Sequence, residues 1–287
     1  MRRLIINADD FGLTRGVNRA IVEAHEQGVV TSSTLMADGP AFDDAVRQAQ
    51  SVPRLSVGCH VVLVDGSPVL AANQVSSLVS SANPEHFEDG IGKFSLRALT
   101  GRLNADQVEA EITAQIRKLQ SAGVTVSHLD SHKHTHMFPS VFRPLLRAAK
   151  ARGIRAVRNP FEVIRISIAA GRPGLWRRYS EVKLLGGLAG KFRKAAKETG
   201  VITPDGTVGI VVTGALDDRL FRLIIEKLPE GTWEFVCHPG YNDSELQGVR
   251  TRLRESREQE LQVLKSPKTI DLFARSGIEL ISYRDLG

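Results

Sequence analysis

The sequence predicts an α/β protein: a (β/α) barrel of the TIM type, distorted and built of seven or eight parallel strands, with its active site at the carboxyl ends of those strands. Three observations predict it. Short apolar runs rich in β-branched residues alternate with stretches of helical periodicity, the pattern of parallel strands joined by crossover helices. The chain has 287 residues, a length that one such barrel commonly fills as a single domain. Polar and titratable residues crowd directly behind the apolar runs, on the rim where a parallel barrel collects its functional groups.

Eight runs qualify as strands: 4–8, 30–36, 55–62, 124–129, 154–157, 208–213, 233–237 and 278–282. Helical patterns lie at 17–27, 41–49, 106–120, 141–151, 218–227 and 254–276. Thr14 and Pro40 stand near two of the helix starts, while Gly28, Gly123 and Gly153 stand just past three helix ends, as capping chemistry favours. Residues 1–287 therefore read as one domain with two insertions, 65–103 and 159–207, that break the rhythm. Both follow strands, so both decorate the functional face.

Composition narrows the class further. A hydrophobic fraction of 42% and a charged fraction of 24% exclude bulk disorder. The start, Met1-Arg2-Arg3-Leu4-Ile5-Ile6-Asn7, has too short an apolar run for a signal peptide, and no stretch approaches the ~18 apolar residues of a membrane span. A cytoplasmic protein is expected. Cys59 and Cys237 are the two cysteines, which gives neither a secreted framework nor a four-cysteine zinc site; both read as small buried residues.

The formal charge of +6 is concentrated rather than spread. Nine Lys or Arg residues fall between Arg165 and Lys197, interleaved with Leu175, Trp176, Leu184, Leu185, Leu188 and Phe192. The segment reads first as a solvated surface insertion. Drawn as a basic amphipathic helix interrupted at Gly186 and Gly187, it also suits an anionic membrane surface, with 171–197 as the contact. Nucleic acid is not expected, since aromatic residues are few and no groove-reading motif occurs.

Chemistry concentrates at four places. Asn7, Asp9 and Asp10 end the first strand, His60 ends the third, residues 130–136 follow the fourth, and His238 follows the seventh. Adjacent buried carboxylates repel unless a cation or a shared proton compensates, so Asp9 and Asp10 point to a metal; an N-capping role suits one of them but not both. The stretch His128-Leu129-Asp130-Ser131-His132-Lys133-His134-Thr135-His136 holds four of the eight histidines in nine residues. Imidazole is a common metal ligand that titrates near neutrality, so this density points to metal binding or acid–base chemistry, with His128 and His136 the members best read as structural. His238, before Pro239-Gly240, would be an ordinary turn residue but for its place on the same rim.

Together the motifs Asn7-Ala8-Asp9-Asp10-Phe11-Gly12, Gly58-Cys59-His60, Asp130 to His136 and Cys237-His238-Pro239 resemble those of the YdjC-like carbohydrate deacetylases, over most of the chain. The ending Ser282-Tyr283-Arg284-Asp285 is also similar. That family includes chito-oligosaccharide deacetylases and a hopanoid-associated branch. The resemblance implies a hydrolase that removes acetyl groups from an N-acetylated sugar or glycolipid, in which Asp10, His60 and His132 bind one divalent metal ion, Asp9 is the general base and His238 the general acid. Mg²⁺ and Zn²⁺ lead the candidate ions, and other transition metals suit mixed imidazole and carboxylate ligands too. His134, His136, Asp130 and Asn7 fall at positions that contact substrate or support the ligands. Lys133 stands where many relatives carry another histidine, so any task of that position is open here.

Two rival readings remain at this point. Two histidines and a carboxylate also form the site of non-haem iron oxygenases, and His128-Leu129-Asp130 has a suggestive local spacing. A basic membrane-surface module would use Trp176, Arg177, Arg178, Lys183 and Lys191 with no catalysis. The partners expected are thus a sugar or glycolipid substrate, a peripheral contact with the inner membrane surface, and a second copy of the chain packed through outer helices.

Overall fold

A computed structural model describes residues 1–162 and 172–286, and describes Pro173, Arg177 and Glu181 by their backbone alone. The strands are β1 (Arg2–Phe11), β2 (Ser32–Met36), β3 (Ser56–Val61), β4 (His128–Ser131), β5 (Ala156–Val157), β6 (Gly206–Val208), β7 (Gly231–Cys237) and β8 (Ile278–Ile281). All pair in parallel, in the order β5-β4-β3-β2-β1-β7-β6. The aliphatic core lies against this sheet, and every residue of β2 and β3 is buried.

The expected distorted barrel takes the form of a curled parallel sheet. β7 pairs directly with β1 along Arg2–Ala8, while β8 pairs with the first half of β1 at Arg2–Ile5. Because Arg2 has partners in both β7 and β8, and Asn7 in both β7 and β2, β8 and β2 must share one edge of β1. Ten residues of β1 make this division possible: its first half holds β8 and its second half holds β2. The sheet is thus a curled seven-strand path with an eighth strand docked at its centre. Single parallel bridges, Ala156 to Ile202 and Glu162 to Thr207, link its outer strands through the intervening chain.

Several element boundaries move for identifiable reasons. The apolar run 208–213 ends its strand at Val208, because Gly209 turns at φ +103° and the Glu162 carboxylate accepts the amides of Gly209 and Val211, both at 2.9 Å. Strand β4 begins later than expected and carries His128 and Asp130 within it. The helix expected at 254–276 is two, α9 (Glu255–Lys265) and α10 (Pro267–Ser276), since Pro267 cannot donate to the preceding turn and Ser266 caps the second helix through the Lys268 amide. Earlier in the chain run α1 (Arg15–Glu26), α2 (Phe42–Ser51), α3 (Ile91–Leu99), α4 (Ala105–Ser121), α5 (Pro139–Ala151), α6 (Pro173–Leu185), α7 (Ala189–Thr199) and α8 (Asp218–Glu226). Thr14 caps α1 by accepting from Val17, and Gly123 and Gly153 take the positive φ expected past their helices. Gly28 has another reason to be glycine: a Cβ would lie 2.5 Å from the Leu264 carbonyl.

The insertion 65–103 contains α3 and an antiparallel bridge between Val79 and Phe87. Within 159–207, α6 and α7 meet at a turn over Gly186–Leu188. Leu175 and Phe192 are buried there, whereas Trp176 is 43% and Leu184 82% exposed. The beginning of the basic stretch, Arg165 to Gly171, lies outside the described residues, as does the side chain of Arg177. No helix among the described residues is long and apolar enough to cross a membrane. Cys59 and Cys237 are buried and free.

Candidate metal centre and active site

The end of β1 departs from regular pairing between Ala8 and Phe11, and Asp10 adopts φ +69°. That departure matters, because in a regular strand two adjacent side chains point to opposite faces. Here both Asp9 and Asp10 are buried at the same centre. Asp10 Oδ1 lies 3.5 Å from His60 Nε2 and 3.4 Å from His132 Nδ1. β3 delivers His60 in register with Asp130 of β4, and the chain after β4 delivers His132 in a turn where Lys133 and His134 both take positive φ.

Asp10, His60 and His132 form one of two groups of three whose ligand atoms could hold a metal ion among the described residues; Asp9, His60 and Asp130 form the other. In the second group, Arg158 already fills the space between the carboxylates. It donates to Asp9 Oδ1 at 2.6 Å and Oδ2 at 2.8 Å and to Glu234 Oε1 at 2.7 Å, and it forms an ion pair with Asp130 Oδ2 at 2.7 Å. The first group has no such filler. Asp10 Oδ1 and His60 Nε2 are buried with no hydrogen-bond partner, a costly state unless something else satisfies them. Ligand atoms around a tetrahedral ion at ~2.0–2.2 Å stand roughly 3.3–3.6 Å apart, so the donor spacing fits a cation of that size.

Support for the ligands comes from a second layer. His60 Nδ1 donates to Asp130 Oδ1 at 2.7 Å, which leaves Nε2 free to meet a cation and fixes the ring. Thr34 donates to Asp130 Oδ2 at 2.9 Å and accepts from Asn7 Nδ2 at 3.3 Å; Asn7 also donates to Asp9 Oδ1 at 2.9 Å. Burial lowers the pKa of His60, but the charge and hydrogen bond of Asp130, with Asp9 and Asp10, outweigh it and push the group up to about 9. Without a cation, a proton is what this ring attracts.

The other histidines divide as their contacts dictate. His238 is mostly buried, with Nε2 3.9 Å from Asp9 Oδ2 and Nδ1 4.0 Å from Glu260 Oε2. Burial lowers its pKa to about 4 against the pull of Asp9 and Asp10, so it rests neutral. For Asp9, burial raises the pKa, but Arg158, His60 and His238 together hold it well below the usual carboxylate range. His134 keeps its buried Nδ1 unpartnered, and burial followed by Arg158 depresses it to about 3. His136 is fully buried: Ser131 and the Arg158 carbonyl hold its nitrogens, and Phe192 packs on its edge. His128 stacks on Tyr283 at 3.6 Å and meets Asn7 Oδ1 at 3.1 Å. Lys133 forms an ion pair with Asp65, a residue of the first insertion.

Sequence reading missed Arg158, Glu234, Arg257 and Glu260. Arg158 follows β5 and so obeys the rim rule that singled out the histidines. Glu234 sits in the apolar run Trp233-Glu234-Phe235-Val236, a carboxylate where none is expected. Arg257 and Glu260 lie on α9 and carried no signal.

A curled parallel sheet with a group of three candidate ligands at its carboxyl edge, Asp10 and His60 buried and His132 partly so, defines the class as an α/β protein with a candidate metal centre on the strand rim. The chain belongs to the YdjC-like family, whose model matches residues 3–275. Among curated relatives, a carbohydrate deacetylase of Geobacillus stearothermophilus is 36% identical over 99% of this chain and 98% of its own length. A carbohydrate deacetylase of Brevibacillus brevis is 31% identical over 99% of this chain and all of its own. A crystal structure from Enterococcus faecalis, provisionally assigned to cellobiose-phosphate cleavage, superposes with a TM-score of 0.79 at 27% identity, covering 98% of this chain and 97% of the other.

Proposed function

We propose that the protein hydrolyses the acetamide of an N-acetylated sugar, carried on a chito-oligosaccharide or on a glycolipid such as a glycosylated hopanoid, in the cytoplasm. Asp10, His60 and His132 hold one divalent cation. The observation that carries this reading is the pair of buried, unpartnered ligand atoms, Asp10 Oδ1 and His60 Nε2, with His132 Nδ1 beside them. The curated relatives that carry the deacetylase name support the substrate class.

A cation bound there supplies Lewis-acid polarisation of the acetyl carbonyl and lowers the pKa of water. Asp9 and His238 manage the proton. Asp9 stays ionised because Arg158 grips both its oxygens, so it is ready to receive a proton from water as the C–O bond forms. His238 starts neutral, so the proton it gives to the departing sugar nitrogen as the C–N bond breaks must be collected first. At 3.9 Å, Asp9 Oδ2 and His238 Nε2 stand beyond hydrogen-bond contact, so the two groups must draw together by roughly 1 Å for that proton to pass directly. Water and acetamide go in; acetate and amine come out.

An acetate-release screen across N-acetylated sugars and glycolipids, with Mg²⁺, Zn²⁺ and Co²⁺ added to chelator-stripped protein, tests this. Metal-dependent acetate release is expected. Oxygen uptake without acetate release would put the iron oxygenase reading in its place.

The exposed Trp176 and Leu184 beside Lys183 favour a peripheral contact with an anionic membrane, which suits a lipid-borne sugar. Replacing both by Ala should weaken cosedimentation with vesicles containing anionic lipid and leave hydrolysis of a soluble sugar intact. Equal cosedimentation removes the membrane contact.

A further inference from the structure

α9 begins some 250 residues after the metal-binding strand, yet two of its charged side chains, Arg257 and Glu260, are almost completely buried. Glu260 accepts the main-chain amide of His238 at 2.6 Å. Arg257 reaches the cation site itself: its Nη2 donates to Asp10 Oδ2 at 2.6 Å. That contact divides the work of the Asp10 carboxylate. Oδ2 is occupied by the guanidinium, and Oδ1 alone faces His60 and His132.

Burying a guanidinium beside a metal site is unfavourable unless the contact brings a return, because the arginine and the cation repel each other. The return is geometric. A free carboxylate can swing or chelate with both oxygens, whereas one pinned at Oδ2 offers a single oxygen in a fixed direction and keeps other coordination positions open.

The route of Arg257 explains a glycine that the metal site does not otherwise need. Gly240, two residues after His238, lies where a Cβ would stand 2.9 Å from Arg257 Cδ and 3.0 Å from Val17 Cγ2. Gly240 does not have positive φ, so its backbone alone does not call for glycine. Its amide also donates to the Arg257 carbonyl at 3.3 Å. The turn Cys237-His238-Pro239-Gly240 thus presents His238 and, through the missing side chain of Gly240, lets Arg257 pass to Asp10.

We infer that Arg257 is a positioning residue that restricts Asp10 to one-oxygen coordination, with Gly240 as the gap that admits it. The inference rests on the reading of Asp10, His60 and His132 as a metal site. Its test uses chelator-stripped, full-length protein: wild type, Arg257→Met, Gly240→Ala and the double variant. Zn²⁺ affinity is read by competition with a chromophoric chelator, and ligand geometry from the visible absorption of the Co²⁺-loaded protein. Losing an outer partner of a ligand typically costs 10–100-fold in affinity, and a loss of that order is expected in each single variant, with altered Co²⁺ bands.

The double variant should bind no more weakly than Arg257→Met, since Gly240 acts through Arg257. Should Arg257→Met not fold, Gly240→Ala decides by the same readouts. Wild-type affinity and an unchanged Co²⁺ spectrum in the single variants overturn the inference, as do additive losses in the double variant. A wild-type protein that takes up neither ion overturns the metal reading beneath it.

Discussion

His60 is held by the environment in the state opposite to the one a metal needs. Its pKa of about 9 in the folded chain exceeds the ordinary 6.5, so folding favours the protonated ring. The sign follows from linkage: stability contributed by this proton is fully present below pH 6.5 and is lost as pH rises to about 9. The shift is worth on the order of 3 kcal/mol. Metal-free wild type should therefore lose thermal stability between pH 6.5 and 9, and His60→Gln should show a flatter profile; parallel profiles would contradict the assignment. Metal must displace that proton, so proton release on metal uptake is expected at neutral pH.

Arg158 is the other residue whose loss has a calculable sign. It is the shared cation of Asp9, Asp130 and Glu234, all buried. Arg158→Met leaves three carboxylates without their counter-ion, and removing one partner of a buried pair typically costs ~3–5 kcal/mol. Urea unfolding should show a loss of at least that size, and a loss below ~1 kcal/mol would mean the cluster relaxes into solvent. His238→Ala should differ in kind: it should keep its metal while activity falls by ~10²–10⁴-fold, whereas His60→Ala should lose the metal. Equal metal content and equal activity in the two variants would refute the division of roles.

Elements place these residues, and they do so through their ends. The irregular close of β1 turns Asp9 and Asp10 toward one centre, and the short β6 stops at Gly209 where the chain must bend. Gly209 has φ +103°, and a Cβ there would stand 2.9 Å from the Val236 carbonyl. Gly209→Ala should cost ~1–3 kcal/mol in denaturant unfolding, and a neutral result would show that the bend can be redrawn. Element ends are also where sequence reading went astray. The run 208–213 is apolar enough for a strand, but its outcome depends on Glu162, some 50 positions earlier, capping two of its amides. The break in 254–276 was legible in Ser266-Pro267, and only the continuous apolar periodicity around it concealed the stop.

At the scale of the molecule, the chain's first strand is the axis on which everything converges. β1 pairs with β2, β7 and β8, and Tyr283 just after β8 donates to Glu234 at 2.5 Å, tying the end of the chain to the buried charge cluster. Parallel strands and the rim positions of Asp9, Asp10, His60, His132 and His238 were legible, because apolar runs mark strands and polar residues at their ends mark the rim. The docking of β8 beside β2 was not, since a four-residue apolar run does not specify its neighbour. Arg257 and Glu260 were hidden for a related reason: on a helix, charges read as solvated until the fold turns that face inward.

The central claim is that Asp10, His60 and His132, separated by over 120 positions, meet at one cation. Calorimetric titration of chelator-stripped protein with Zn²⁺, for wild type and for Asp10→Asn, His60→Ala and His132→Ala, tests it most directly. One strongly bound ion per chain in wild type, lost or severely weakened in each variant, is the predicted result. Wild-type binding retained in any of the three would contradict it.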